Sequence, residues 1–170
     1  MREPTHADAE LLIRLYEIRR DPELRRARQW FLHEFQPGEW REIKARYMSF
    51  TDEDRWFRMT TSYWEMVASL VNRDVLHPDL FFDHTGEDIV SWERCKPWIA
   101  GARADIRPSY LHHFERLVAA HLEYRKKVNA AVLAAANGTA TLVGARAPVA
   151  APRAAAARAA KPSAASKRRR

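Results

Sequence analysis

Apolar and polar residues along this chain recur at spacings of three and four, the period of amphipathic helices. The widest apolar stripe lies between Thr51 and Asp83. Trp56, Phe57, Thr60, Tyr63, Trp64, Val67, Leu70 and Val71 fall on one broad face there. Thr51 suits the N-cap, and Asp52, Glu53 and Asp54 suit the positive end of the helix. A stripe this wide has to be covered from several sides, so this helix is expected at the centre of the fold.

The other elements are read around it. A first helix is expected from about Thr5 to Arg20, with Leu11, Leu12, Leu15, Tyr16 and Ile18 as its apolar face. Asp21-Pro22 starts a second, with Leu24, Ala27, Phe31 and Phe35 in its stripe. Pro37-Gly38 breaks the chain before a short helix carrying Trp40, Ile43 and Tyr47. After the central helix, Leu76-His77-Pro78-Asp79 reads as a loop entering one helical turn through Phe82. Thr85 with Asp88 three residues on resembles a capping box with Asp in place of Glu. The helix it opens carries Ile89, Trp92, Cys95 and Ile99, and Pro97 inside it predicts a kink or break. The last helix is expected from about Pro108 to Ala136, with Tyr110, Phe114, Leu117, His121, Tyr124 and Val128 in register and Gly138 as its stop.

The pattern predicts an all-α fold, a compact bundle of five or six helices over residues 5–137, followed by a disordered tail at 138–170. Five glycines and few β-branched residues disfavour a sheet. No run of eighteen apolar residues occurs, so no segment is expected to span a membrane. The N-terminus MREPTHADAE is polar and does not read as a signal peptide. Cys95, the sole cysteine, excludes an internal disulfide, reads as a buried helix residue and suits a reducing cytoplasm.

Charge is divided unevenly. The net charge of +7 hides a body, 1–138, with 21 basic and 22 acidic residues, and a tail with eight basic residues and no acid. Those eight are Arg146, Arg153, Arg158, Lys161, Lys167, Arg168, Arg169 and Arg170, set among Ala, Pro and Ser. Such a segment reads as disordered and attracts polyanions without sequence preference, with steep salt dependence. Its composition is similar to the Ala/Lys/Pro-rich tails of nucleoid and linker-histone proteins, and a solubilising extension is the plain alternative. Peripheral membrane attachment through Lys167–Arg170 would need a second signal, which the sequence does not offer.

Several pieces together resemble a known family. They are Leu15-Tyr16-Glu17-Ile18-Arg19-Arg20-Asp21-Pro22, Tyr63-Trp64, Leu80-Phe81-Phe82-Asp83 with Gly86, Trp92 four residues before Lys96-Pro97, Arg103, and Tyr110 with Phe114. Over about residues 10–120 the chain resembles a family of small bacterial helical proteins known only as a domain of unknown function, some of them membrane-anchored. The resemblance implies a helical fold and brings no catalytic residues. The polar N-terminal residues do not read as the hydrophobic anchor, so membrane attachment is not expected to carry over.

Candidate chemistry is sparse. The acidic loop Asp79, Asp83, His84, Glu87 and Asp88 puts carboxylates beside an imidazole, as a hard or borderline cation requires, yet the same groups suit caps and turns. With Tyr63 on the central helix, the loop supplies the candidate ligand or metal residues. No nucleophile elbow, phosphate loop or dinucleotide glycine pattern occurs, so no catalytic residue and no cofactor is assigned. His121 lies in an apolar stripe and reads as an interior histidine. Arg19, Arg20, Arg25, Arg26 and Arg28, followed by Trp30, suit either nucleic-acid backbone or a solvated face paired with Glu17, Asp21 and Glu23. The six tryptophans read as core. Arg58 and Arg103 are expected to pair with Glu65 or Asp83.

The leading expectation is a non-enzymatic cytoplasmic binding or scaffold protein whose helical body holds a protein partner and whose tail adds weak polyanion affinity. The alternative is an enzyme or small-ligand domain using the acidic loop beside the central helix.

Overall fold

The computed structural model describes residues 2–144, with side chains described through 136. Among the described residues there are eight helices and no strand: α1 (His6–Ile18), α2 (Pro22–His33), α3 (Trp40–Tyr47), α4 (Asp52–Asn72), α5 (Pro78–His84), α6 (Glu87–Glu93), α7 (Lys96–Asp105) and α8 (His112–Gly144). The packing described here belongs to the compact unit spanning 1–133, and 134–144 remain helical.

Polar side chains start the helices at the expected places. Thr5 and Asp8 form a full capping box at α1, Asp21 accepts from the amides of Glu23 and Leu24 at α2, and Thr51 accepts from the Asp54 amide at α4. Each such cap contributes about 1 kcal/mol. α4 lies in the core, burying Trp56, Phe57, Tyr63, Trp64, Val67 and Val71. α2 packs most extensively against it, and α3 packs on α7.

Aromatic rings fill the interior. Phe31 stacks on Phe35 at 4.9 Å, Phe57 meets Trp98 at 5.1 Å, and Trp64 stacks on Phe114 at 5.8 Å. All six tryptophans are buried. Ring pairs of this kind add about 0.5–1.5 kcal/mol each beyond the area they bury.

Eight helices stand where five or six were expected, and the reasons are local. Pro97 breaks the predicted 85–99 helix outright, so α6 ends at Glu93 and α7 starts at Lys96 with proline in its first turn. The single turn after Pro78 is a full helix, α5, because the buried His77 accepts from the Leu80 amide as its N-cap. The Thr85–Asp88 capping box does not form. Gly86 occupies the N-cap of α6 without a side-chain bond, and the Asp88 carboxylate is turned into the core toward His121.

The last helix starts later and runs further than expected. Residues 108–111 are turns, with Leu111 buried in left-handed backbone (φ 52°), and α8 passes Gly138 to Gly144. Its first turn is capped from another helix: Glu65 on α4 accepts from the amides of His113 and Phe114 at 3.1 and 2.8 Å. Glu65 is therefore not the partner of Arg58 or Arg103. Arg58 pairs with Asp54 and Arg103 with Glu115. Of the five apolar residues expected on the first helix, Leu15 alone is fully buried, and Tyr16 and Ile18 are exposed. Val128 is likewise exposed, so the buried register of α8 closes with His121 and the half-buried Tyr124. No helix among the described residues is long and apolar enough to cross a membrane.

Candidate functional site

Two neighbouring hollows lie beside α1. The first is an apolar cleft of about 240 Å³ where α1, α4 and α5 meet. Leu12, Ile13 and Leu15 line it from α1, Tyr63 and Trp64 from α4, and Phe81 from α5. Helix periodicity puts Leu12 and Leu15 on one side of α1, facing α4. Tyr63 is held there by donating to the Leu15 carbonyl at 3.3 Å. Burial pushes its phenol up to about 12, although Arg19 and Arg28 pull the other way. It therefore keeps its proton at neutral pH and serves as a hydrogen-bond donor. His84 also reaches the cleft, donating from Nδ1 to the Leu80 carbonyl at 2.8 Å.

The second hollow, about 320 Å³, lies between the end of α1 and α2. Arg19, Arg20, Arg25 and Arg28 line it, with Tyr16, Gln29 and Leu32. Tyr16 and Arg19 belong to both hollows. Glu87 at the start of α6 accepts from Arg19 Nη2 at 2.8 Å and from Arg28 Nε at 2.6 Å, with a further close contact to Arg28 Nη2. Burial works to raise this carboxyl, and the hydrogen bonds and charges of Arg28 and Arg19 outweigh it, leaving Glu87 below its ordinary value. The Arg19 guanidinium also lies over the Trp64 ring, 5.7 Å from its centre. It thereby joins the cation cluster to the apolar cleft.

The acidic-loop residues do not converge. Asp79 sits in the first turn of α5. Asp83 accepts from the Tyr124 hydroxyl at 2.5 Å, a bond that pushes the phenol up to about 12. Glu87 turns to the two arginines, and Asp88 is fully buried with its Oδ2 2.7 Å from His121 Nδ1. Among the described residues no three His, Cys, Asp or Glu side chains stand together as a metal site. Of the six candidates, Tyr63 and His84 line the same cleft, and Asp83, Glu87 and Asp88 are each engaged by a different partner.

The arginine cluster is split by the fold. Arg19 and Arg28 reach Glu87, 68 and 59 residues away, and Arg26 lies over Trp56. The sequence marks the cluster but carries no signal for a partner so far along the chain. Cys95 is buried, and burial raises its thiol well above the ordinary value. The eight tail cations, Arg146, Arg153, Arg158, Lys161, Lys167, Arg168, Arg169 and Arg170, lie outside the described residues.

The model of a family described as a domain of unknown function (DUF4760) matches residues 4–121, slightly more of the chain than the resemblance quoted above. No curated protein and no solved structure matches.

Proposed function

Starting from a chain that belongs to the family described as a domain of unknown function (DUF4760), we propose that it is a non-enzymatic binding protein of the bacterial cytoplasm. Its helical body takes a partner's apolar group in the cleft between α1, α4 and α5, and its basic tail adds weak, sequence-independent affinity for polyanions. The observation that carries this reading is the composition of the cleft: an almost wholly apolar hollow open at the surface, bordered by exposed Ile13 and Tyr16. Apolar concavities of this kind are where proteins receive ligands and partner side chains. A non-enzymatic role agrees with Asp83, Glu87 and Asp88 each being engaged by a different side-chain partner. The cytoplasmic setting is supported by the single cysteine.

The tail half of the reading is tested in the full-length chain. Replacing the eight cations of 139–170 by glutamine should abolish duplex DNA binding at low salt, while the unaltered chain should show a log–log salt slope of roughly 0.9 per phosphate contact. Unchanged DNA binding in the replaced chain refutes it.

A second reading, a small-ligand domain or enzyme, is favoured by one observation: Tyr63 and His84 line the same cleft. Retention of a small molecule through purification would favour it over a protein partner.

A further inference from the structure

We infer that the two hollows beside α1 form one site for a single-chain amphiphile with an anionic head, its chain in the apolar cleft and its head among Arg19, Arg20 and Arg25. This rests on the small-ligand reading of the cleft, not on the protein-partner reading, and adds the class of molecule bound. The two hollows share Tyr16 and Arg19 as lining, so they lie side by side and an elongated ligand has those two side chains to bridge. Together they reach the size of pockets that hold small molecules, roughly 300–1,000 Å³.

Apolar surface selects the chain end. Leu12, Leu15, Trp64 and Phe81 form the cleft, and Ile13 and Tyr16 at its border stand 60% and 59% exposed. With a methylene taking about the volume of a water, roughly 30 Å³, the 240 Å³ of the cleft holds one alkyl chain of about eight carbons. That volume suits one chain rather than the row of anchors an amphipathic helix presents at i, i+3, i+4 and i+7.

Unbalanced charge selects the head end. Four arginines line the second hollow, and the carboxylate that reaches them, Glu87, is shared by Arg19 and Arg28. Arg25 donates to the Arg20 carbonyl, and neither Arg20 nor Arg25 meets a carboxylate among the described residues. Arg19 Nε is shielded from solvent with no hydrogen-bond partner. Guanidinium groups so placed bind a carboxylate through paired, charge-assisted hydrogen bonds. A neutral chain would leave this cation surplus unused, and a polyanion would leave the cleft unfilled.

The test is calorimetric titration of the full chain with decanoate, decanol, decyltrimethylammonium and acetate, the two charged amphiphiles below their micelle concentrations and decanol below its solubility limit. Decanoate should bind one to one, decanol at least tenfold more weakly, and the other two not at all. The double variant Arg20→Ala/Arg25→Ala removes exposed cations that have no carboxylate to lose. It should weaken decanoate at least tenfold and leave decanol unchanged. Ile13→Glu, at an exposed border position, should abolish both. Equal affinity for decanoate and decanol overturns the anionic head while the cleft reading stands. Binding of neither overturns both. Decanoate binding untouched by these variants, or binding to anionic vesicles without binding of monomeric decanoate, overturns the site.

Discussion

His121 on α8 and Asp88 on α6 face each other across 2.7 Å, both fully buried. The bond has a direction. Arg125 Nε lies 3.1 Å from His121 Nε2, and a guanidinium N–H can only donate. The imidazole proton therefore sits on Nδ1 and points at the Asp88 carboxylate. Phe82 stacks on the ring at 4.6 Å, which closes the pair against α5. The polar contact joins α6 to α8, and the ring stack adds α5.

Asp88→Ala should leave the His121 N–H unpaired in the core. Removing one partner of a buried charged hydrogen bond costs about 3 kcal/mol. Asp88→Asn keeps an acceptor at the same place and should cost about 1 kcal/mol, by loss of the charge alone. Urea unfolding reads the difference, and equal midpoints for the two variants would show that the contact does not hold α6 to α8.

Gly101 in α7 should resist enlargement. A Cβ placed there would lie 2.4 Å from Trp40 Cβ, an atom too close to its own backbone to swing aside. Helix propensity alone would make Gly101→Ala stabilising by about 1 kcal/mol. Because α3 and α7 would have to separate, the variant should instead lose about 1–3 kcal/mol. The sign of the change in thermal midpoint decides between the two effects.

These contacts mark where sequence reading ends. Periodicity located the buried faces of the second, third and fourth helices, because Leu24, Ala27, Phe31, Trp40, Ile43, Tyr47 and Trp64 repeat at helical spacing and are all buried. Caps at Asp21 and Thr51 were legible for the same reason: their partners lie two or three residues away. Local signals misled where a distant group competed. Asp88 looks like a cap residue three after Thr85, but His121 takes its carboxylate. Glu65 looks like an ion-pair partner, but the open amides at the start of α8 take it. Tyr16 and Ile18 follow the apolar period of α1 yet remain exposed. The cleft itself was legible only as Tyr63 and His84, since its arginine border depends on contacts between α1, α2 and α6.

Cys95 should report on unfolding. Its side chain is buried and burial raises the thiol well above its ordinary value, so the thiolate, the reactive form, is scarce and out of reach. Native protein should resist a thiol reagent such as iodoacetamide at neutral pH, and labelling should rise with the same urea midpoint as loss of helix. Rapid labelling without urea would show that α6 and α7 open around Cys95 on their own.

The Glu87 carboxylate should make stability fall in acid. Burial raises its pKa, and the guanidinium groups of Arg28 and Arg19 lower it by more, leaving a net depression. A depressed carboxyl contributes stability above its unfolded value and loses it as pH falls through the folded one, because the unfolded chain takes up the proton first. Glu87→Gln keeps the shape, lacks the titration and leaves two arginines without their shared anion. At pH 7 the variant should be less stable by about 1–2 kcal/mol, less than a fully buried pair because solvent reaches the arginine hollow. That deficit should shrink once pH drops below the ordinary carboxyl value of 4.5 and vanish when Glu87 itself is protonated. Urea midpoints of both proteins between pH 7 and pH 3 check this, and a deficit constant across the range would mean that the Glu87 charge is not what holds α6 to α1 and α2.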